Sequence, residues 1–250
     1  MEEREMYFEI FRKDFNKSNE AKKYLSFRNL SSKIYNDSQI GFCIAESTYK
    51  FSLLKGRLIV PIRNVHGELI AMAGRQIPNV KDQAIKSLYE QYSYSPNVQQ
   101  KIDKWNKGKW INEPYTKSKN LYFLDIAKNQ ARVKNYIFVC EGYFDCLSFY
   151  DNGIKNICAL CGTSITEYQV ALISRFCENV FVLMDSDGPG KIASEKVATK
   201  VKENGLVAYK IHLPEGLDPD DFAQRYDIGF LEDLADKMIK EKIFEMSVTV

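Results

Sequence analysis

The stretch Ile137-Phe138-Val139-Cys140-Glu141-Gly142-Tyr143-Phe144-Asp145 reads as a buried strand that ends on a carboxylate, turns at a glycine and enters a helix. Asp145 falls in the first turn of that helix, and its four-residue spacing from Glu141 puts both acids on one side of the turn. Open α/β sheets build their sites at the C-terminal ends of such strands. The pattern recurs downstream. Asn179-Val180-Phe181-Val182-Leu183-Met184 runs into Asp185-Ser186-Asp187-Gly188-Pro189-Gly190-Lys191, and the strand-like residues 207–213 lead to Gly216-Leu217-Asp218-Pro219-Asp220-Asp221. Strand and helix signals alternate between these points, which predicts a doubly wound parallel sheet with its three acidic ends along one edge. Two unit charges about 4 Å apart repel by roughly 4 kcal/mol at an effective dielectric near 20, so such a cluster takes up protons or a divalent cation. Oxygen donors with no histidine beside them favour Mg2+ or Mn2+.

Composition sets further bounds. A chain of 250 residues with 45% apolar content is long enough to bury a core in one large or two small domains. No apolar run approaches 18 residues and the start Met1-Glu2-Glu3-Arg4-Glu5 is too acidic for a secretory signal, so the expectation is a soluble cytoplasmic protein of a bacterium or a phage-infected cell. The six cysteines sit inside apolar patterns, and Cys158-x-x-Cys161 falls within an expected strand, which reads as buried structural cysteine rather than a zinc site. The net charge of +2 conceals an asymmetry. Residues 1–135 hold 24 Lys and Arg against 14 Asp and Glu, giving +10, whereas residues 136–250 hold 11 against 19, giving −8. One half suits a polyanion and the other suits cations, although two ordinarily charged domains would give the same arithmetic.

In chain order, Met6, Tyr7, Ile10, Phe11 and Phe15 keep helical spacing, and a second helix is expected over about 19–28. Residues 56–63 and 68–75, joined through Asn64 to Gly67, read as a β-hairpin in which Pro61 points to an edge strand or a bulge. From about 78 to 108 the chain turns polar, with a helix over 81–91. Trp105 and Trp110 flank Lys107 and Lys109 there, which suits either stacking on unpaired bases or packing. Ser164 with Glu167 has the form of a capping box for a helix over 166–176, and Asn204-Gly205 closes the helix that begins near Lys191. Asp218 before Pro219 fits a helix N-cap as well as it fits a metal ligand. Gly188, Gly190 and Lys191 are a weak phosphate-seat signature, and neither His66 nor His212 has a partner pattern.

Glu141-Gly142-Tyr143-Phe144-Asp145, Gly162-Thr163-Ser164, Asp185-Ser186-Asp187 and Asp218-Pro219-Asp220 resemble, in order and spacing, the Toprim domain of DnaG-type bacterial and phage primases. Ala21-Lys22-Lys23-Tyr24-Leu25, Arg28, Leu30 and Ile40-Gly41-Phe42 are similar to the opening of that family's polymerase core, and residues 56–75 to its basic subdomain. The resemblance implies an α/β fold: an α+β basic subdomain over 1–135 with an insertion at about 78–108, a Rossmann-like Toprim domain over 136–226, and a C-terminal amphipathic helix over 227–250. It implies RNA primer synthesis on single-stranded DNA, with Glu141, Asp185 and Asp187 holding two Mg2+ or Mn2+ ions and Asp145, Asp218 and Asp220 as further ligands. Arg57, Arg63 and Arg75 match arginines that contact template and RNA–DNA hybrid, a use to which the planar guanidinium fork is suited.

Residues 109–116 and 117–122 resemble two further family segments. Glu113, Tyr115 and Lys119 depart from the usual residues, and Ser118 replaces a glycine. Asn112, Lys117, Lys119 and Lys191 are the expected nucleotide or primer contacts. Ribonucleoside triphosphates are the implied substrates, a replicative helicase is a possible partner, and the family's zinc module is expected to be absent or supplied in trans. Two other classes remain open at this level: a Toprim nuclease using the same acids, and a non-catalytic template-binding or helicase-associated subunit.

Overall fold

Helix α1 (Glu2–Lys17) stops where Ser18 takes over as N-cap of α2 (Asn19–Phe27), its side chain accepting from the Ala21 N–H at 3.1 Å. The computed structural model describes residues 2–37, 40–44, 52–92 and 97–249. It divides the chain into two units, residues 1–62 with 69–115 and residues 63–68 with 116–250. The division falls at 115, not at the 135 expected from sequence, because the segment 116–135 packs with the parallel sheet. None of the described helices is long and apolar enough to cross a membrane.

The first unit continues through α3 (Ser32–Asp37), β1 (Gly41–Cys43), β2 (Arg57–Arg63), β3 (Leu69–Gln76), α4 (Lys81–Tyr92), α5 (Val98–Lys107) and β4 (Trp110–Asn112). Its sheet has the order β1-β2-β3-β4, with Gly41 opposite Ile59 and Ala73 opposite Asn112 in antiparallel register. Apolar residues at helical spacing on α1 bring Phe8 and Phe11 onto this sheet, where they join Cys43, Leu54, Ile59, Leu69 and Met72 in one core. Each such fully buried side chain contributes about 1.5–3 kcal/mol. Gly41 is required for that approach, since a Cβ there would lie 2.9 Å from the Phe11 Cβ. Pro61 sits in an inner strand, contrary to the edge expected for it. The expected insertion is a pair of helices, α4 and α5; the Trp105 side chain lies outside those described.

The second unit runs α6 (Leu124–Lys134), β5 (Tyr136–Cys140), α7 (Tyr143–Asp151), β6 (Ile157–Ala159), α8 (Glu167–Ile173), β7 (Asn179–Val182), α9 (Gly188–Glu203), β8 (Val207–His212), α10 (Pro219–Arg225), α11 (Phe230–Glu241) and β9 (Glu245–Ser247). The strands lie in the order β6-β5-β7-β8-β9, all parallel. Strand alternation sends Ile137, Val139, Val180, Val182 and Ala208 into one core with α6, α8 and α9. It sends Tyr136, Phe138, Phe181 and Tyr209 to the opposite face, where successive rings meet at 5.6, 5.4 and 4.7 Å and Phe244 continues the row at 5.5 Å from Tyr209.

Two expectations are corrected here. The residues after 226 are not a helix alone: α11 is followed by β9, which adds a fifth strand along β8, with Lys210 opposite Glu245. Helix α8 is capped by Thr166 and Gln169, two residues beyond the expected Ser164 and Glu167. Both pairs have capping-box form, but Thr166 takes the extended N-cap conformation and its hydroxyl accepts from the Gln169 N–H at 3.2 Å.

Candidate active site

Parallel pairing of β5, β7 and β8 sets Val139 beside Val182 and Val182 beside Lys210, so the residues that follow these strands emerge side by side. Glu141 leaves β5, Asp185 and Asp187 follow β7, and Asp218 follows β8. Ser186 ties two of these loops together: its N–H donates to the Leu217 carbonyl at 3.3 Å and its Oγ accepts from the Leu217 N–H at 3.0 Å.

Helix starts fix three of the acids. Asp145 Oδ2 accepts from the Gly142 N–H at 2.7 Å, Asp187 Oδ1 from the Gly190 N–H at 2.7 Å, and Asp218 Oδ1 from the Asp221 N–H at 2.6 Å. For Asp218 the cap and the acidic cluster are compatible, since its charge still reaches Asp145 and Asp185. Gly190 permits the tight β7-to-α9 turn, because a Cβ there would collide with the Asp185 carbonyl oxygen. Gly190→Ala must therefore displace Asp185. It is expected to reduce divalent-cation affinity by on the order of ten- to a hundredfold, measured by Mn2+ titration, with helix content unchanged.

Crowding of negative charge shows in the protonation equilibria. Burial, and then Asp218, Asp185 and Asp220, push the Asp145 carboxyl up to about 8, against the pull of the Gly142 N–H. Burial with Glu141, Asp218 and Asp187 raises Asp185 to about 6, and burial with Asp187 raises Glu141. The sign for stability follows from linkage: a carboxyl raised in the folded state binds more protons there than in the unfolded chain, so its contribution weakens as pH climbs from about 4 through the raised value. In EDTA the melting temperature should fall between pH 6 and 8. Asp145→Asn, which keeps an acceptor for Gly142, should flatten that fall, and Mg2+ should offset it. A slope unchanged by Asp145→Asn would exclude this origin.

Among the described residues, no three of His, Cys, Asp and Glu stand grouped so that they alone could hold a metal ion. An open array of carboxylates nevertheless fits Mg2+ or Mn2+, which keep several waters and bind through one or two carboxylates together with substrate phosphates. The donor set is oxygen only, and the raised carboxyls mark repulsion that a cation would relieve. Asp220 occupies a different position from a ligand in that array. It is buried, and its Oδ1 accepts from Ser148 and from Gln224 Nε2 at 2.7 Å, which fastens α7 to α10. All six cysteines are free thiols; Cys140 and Cys146 donate to the Cys158 and Ile157 carbonyls, Cys158 is buried on β6, and Cys161 is half-buried beyond the end of that strand, outside the strand expected to hold both.

The basic residues divide. Arg57 is wholly buried and donates from Nη1 to the carbonyls of Gly74, Gly108 and Lys109 at 3.2, 3.0 and 3.4 Å. Burial and the neighbouring Arg75 lower its pKa to about 10. Its expected phosphate contact is thus corrected to a clamp on backbone carbonyls inside the first unit. Arg75 is also buried, donating from Nε to the Tyr24 hydroxyl at 2.9 Å and lying over the Trp110 ring. Arg63 donates across the hairpin turn to the Gly67 carbonyl at 2.9 Å. Asn112 is half-buried on β4 of the first unit, while Lys117, Lys119 and Lys191 are exposed on the second. Residues that the sequence reading passed over include Ser148 and Gln169, while Ser186 and Glu113, whose Oε2 accepts from the Met72 N–H at 2.7 Å, were given no role there. Only the Thr166 to Gln169 spacing offered a signal for any of them.

Residues 138–223 match the Toprim-like family. Over 244 residues the chain is 27% identical to the DNA primase of Aquifex aeolicus, covering 87% of this chain and 45% of that protein. Over 181 residues it is 29% identical to the DNA primase of Halalkalibacterium halodurans, covering 71% of this chain and 26% of the relative. The chain thus spans less than half the length of these relatives. Its fold matches the Aquifex aeolicus primase zinc-binding and RNA polymerase domains with a TM-score of 0.74 at 24% identity, over 95% of this chain and 59% of that one. It also matches a DnaG catalytic core with a TM-score of 0.72 at 21% identity, over 93% and 78%.

Proposed function

We propose, from a chain that has the fold of a DnaG-type primase core and carries a Toprim domain, that it synthesises RNA primers on a single-stranded DNA template from ribonucleoside triphosphates. The observation that carries this reading is the emergence of Glu141, Asp185 and Asp187 at the ends of adjacent parallel strands, where Asp187 raises Glu141 and both of them raise Asp185. These three carboxylates would hold Mg2+ or Mn2+, with Asp145 and Asp218 behind them. The bound cation supplies charge neutralisation for the triphosphate and acidifies the attacking hydroxyl. The protein's share is positioning: helix caps lock Asp187 and Asp218, and the β7-to-α9 turn aims Asp185. Glu141 would serve either as a ligand of that cation or as the general base for the primer 3′-hydroxyl.

The excess of Lys and Arg over residues 1–135 supports a template and RNA–DNA hybrid as ligands, with affinity that falls steeply with salt. A replicative helicase is a further partner in keeping with this reading. Primer synthesis on random single-stranded templates, with all four ribonucleotides and Mg2+ or Mn2+, tests the activity. Labelled DNA with Mn2+ and no nucleotide is the control: cleavage there, without synthesis, would make the protein a nuclease. Template binding with neither activity would make it a non-catalytic subunit.

A further inference from the structure

Gln169 is 2% exposed on α8, and every polar atom of its side chain is engaged. Its Oε1 accepts from the Thr166 N–H at 2.9 Å, completing the cap of α8, while its Nε2 donates to the carbonyls of Lys117 at 3.0 Å and Asn120 at 2.7 Å. Thr166 Oγ1 adds a bond to the Ser118 carbonyl at 2.6 Å. A capping box needs only an acceptor at this position, and glutamate would serve as well. The two amide protons are surplus to the cap, and both go to the loop 117–120.

That loop is a 3-10 turn spanning Lys117–Lys119. With its carbonyls drawn onto α8, its lysines stand on the exposed side. Lys117 Nζ reaches the Cys161 carbonyl at 3.4 Å, and the Cys161 N–H donates to the Glu141 carbonyl at 2.8 Å. Lys119 lies over the Tyr168 ring at 5.8 Å. One short bonded path therefore links Lys117 to the strand end that carries Glu141.

We propose that Gln169, together with Thr166, is a positioning residue that latches the loop 117–120 so that Lys117 and Lys119 receive the triphosphate of the incoming ribonucleotide. This rests on the nucleotidyl-transfer reading of the acidic site. A loop held at three carbonyls has little freedom left to lose when an anion binds its lysines, which is how such a latch improves affinity.

Gln169→Glu is the discriminating variant, because it keeps the acceptor for Thr166 and points an oxygen at the Lys117 and Asn120 carbonyls. Trypsin should cut after Lys117 and Lys119 about tenfold faster than in the parent, with other tryptic sites unchanged. Shielding of those two bonds by Mg-ATP should need about tenfold more nucleotide, and the KM for ATP should rise by a similar factor while kcat stays within about twofold. Gln169→Met, which fills the space without donors, should behave alike if the glutamate variant folds poorly. Adding Gln169→Glu to the Lys117→Ala, Lys119→Ala double variant should raise KM no further; a further rise there, or an unchanged KM and cleavage rate in Gln169→Glu alone, would overturn the latch. Absence of primer synthesis by the parent protein would count against the nucleotidyl-transfer reading, and the ATP-shielding comparison would still decide the latch.

Discussion

Asp185→Asn is expected to reduce ribonucleotide incorporation by on the order of a hundred- to a thousandfold, while single-stranded DNA binding stays within about twofold of the parent. The substitution is nearly isosteric and keeps oxygen acceptors, so the β7-to-α9 turn, set by the Gly190 backbone and the Asp187 cap, has no reason to move. What it removes is one of the charges that crowd Asp145. Asp145 should consequently ionise at lower pH in the variant, and Mn2+ affinity should drop with activity. Incorporation by Asp185→Asn at near-parental rates would remove this carboxylate from the chemistry and with it the proposed role of the cluster.

Arg57→Ala is expected to destabilise the protein by about 3–5 kcal/mol, because it leaves a void and strips a donor from three carbonyls in the interior. Gly74 makes room for this side chain, since a Cβ there would lie 2.9 Å from the Arg57 Cδ. Arg57→Met restores most of the volume without the donor and should recover only part of the loss. Urea denaturation is the measurement, with the midpoint of Arg57→Ala lowered by about 1–2 M. A variant with parental stability and selectively weakened DNA binding would return Arg57 to the phosphate contact suggested by its place on the hairpin.

The acidic edge was legible because Glu141 and Asp185 directly follow uninterrupted apolar runs, and parallel pairing leaves such residues nowhere to go except the sheet's C-terminal edge. The two strands of the hairpin were legible from the turn at Asn64 to Gly67. The fate of Arg57 was not, since sequence gives a strand residue two faces but not what covers either one. Nor was that of Asp220, whose partner Ser148 is a small polar residue on a helix read mainly for its carboxylates. Strand β9 escaped because Glu245-Met246-Ser247 is short and polar, and it is specified by pairing along β8 instead of by its own pattern. The cap of α8 was misplaced by two residues because Ser164 and Thr166 each precede an acceptor at the right distance; only the backbone angle separates them.

The row of rings from Phe138 through Phe181 and Tyr209 to Phe244 crosses the sheet at right angles to the strands. Side chains alternate faces with each residue, so a strand creeping lengthwise by one position would swap its ring for an aliphatic on the far side. Intermediate offsets would wedge the rings apart. The interlock thus works as a ratchet with a single engaged notch, and it holds the tips of β5, β7 and β8 level with each other on the side of the molecule where Glu141, Asp185 and Asp218 emerge.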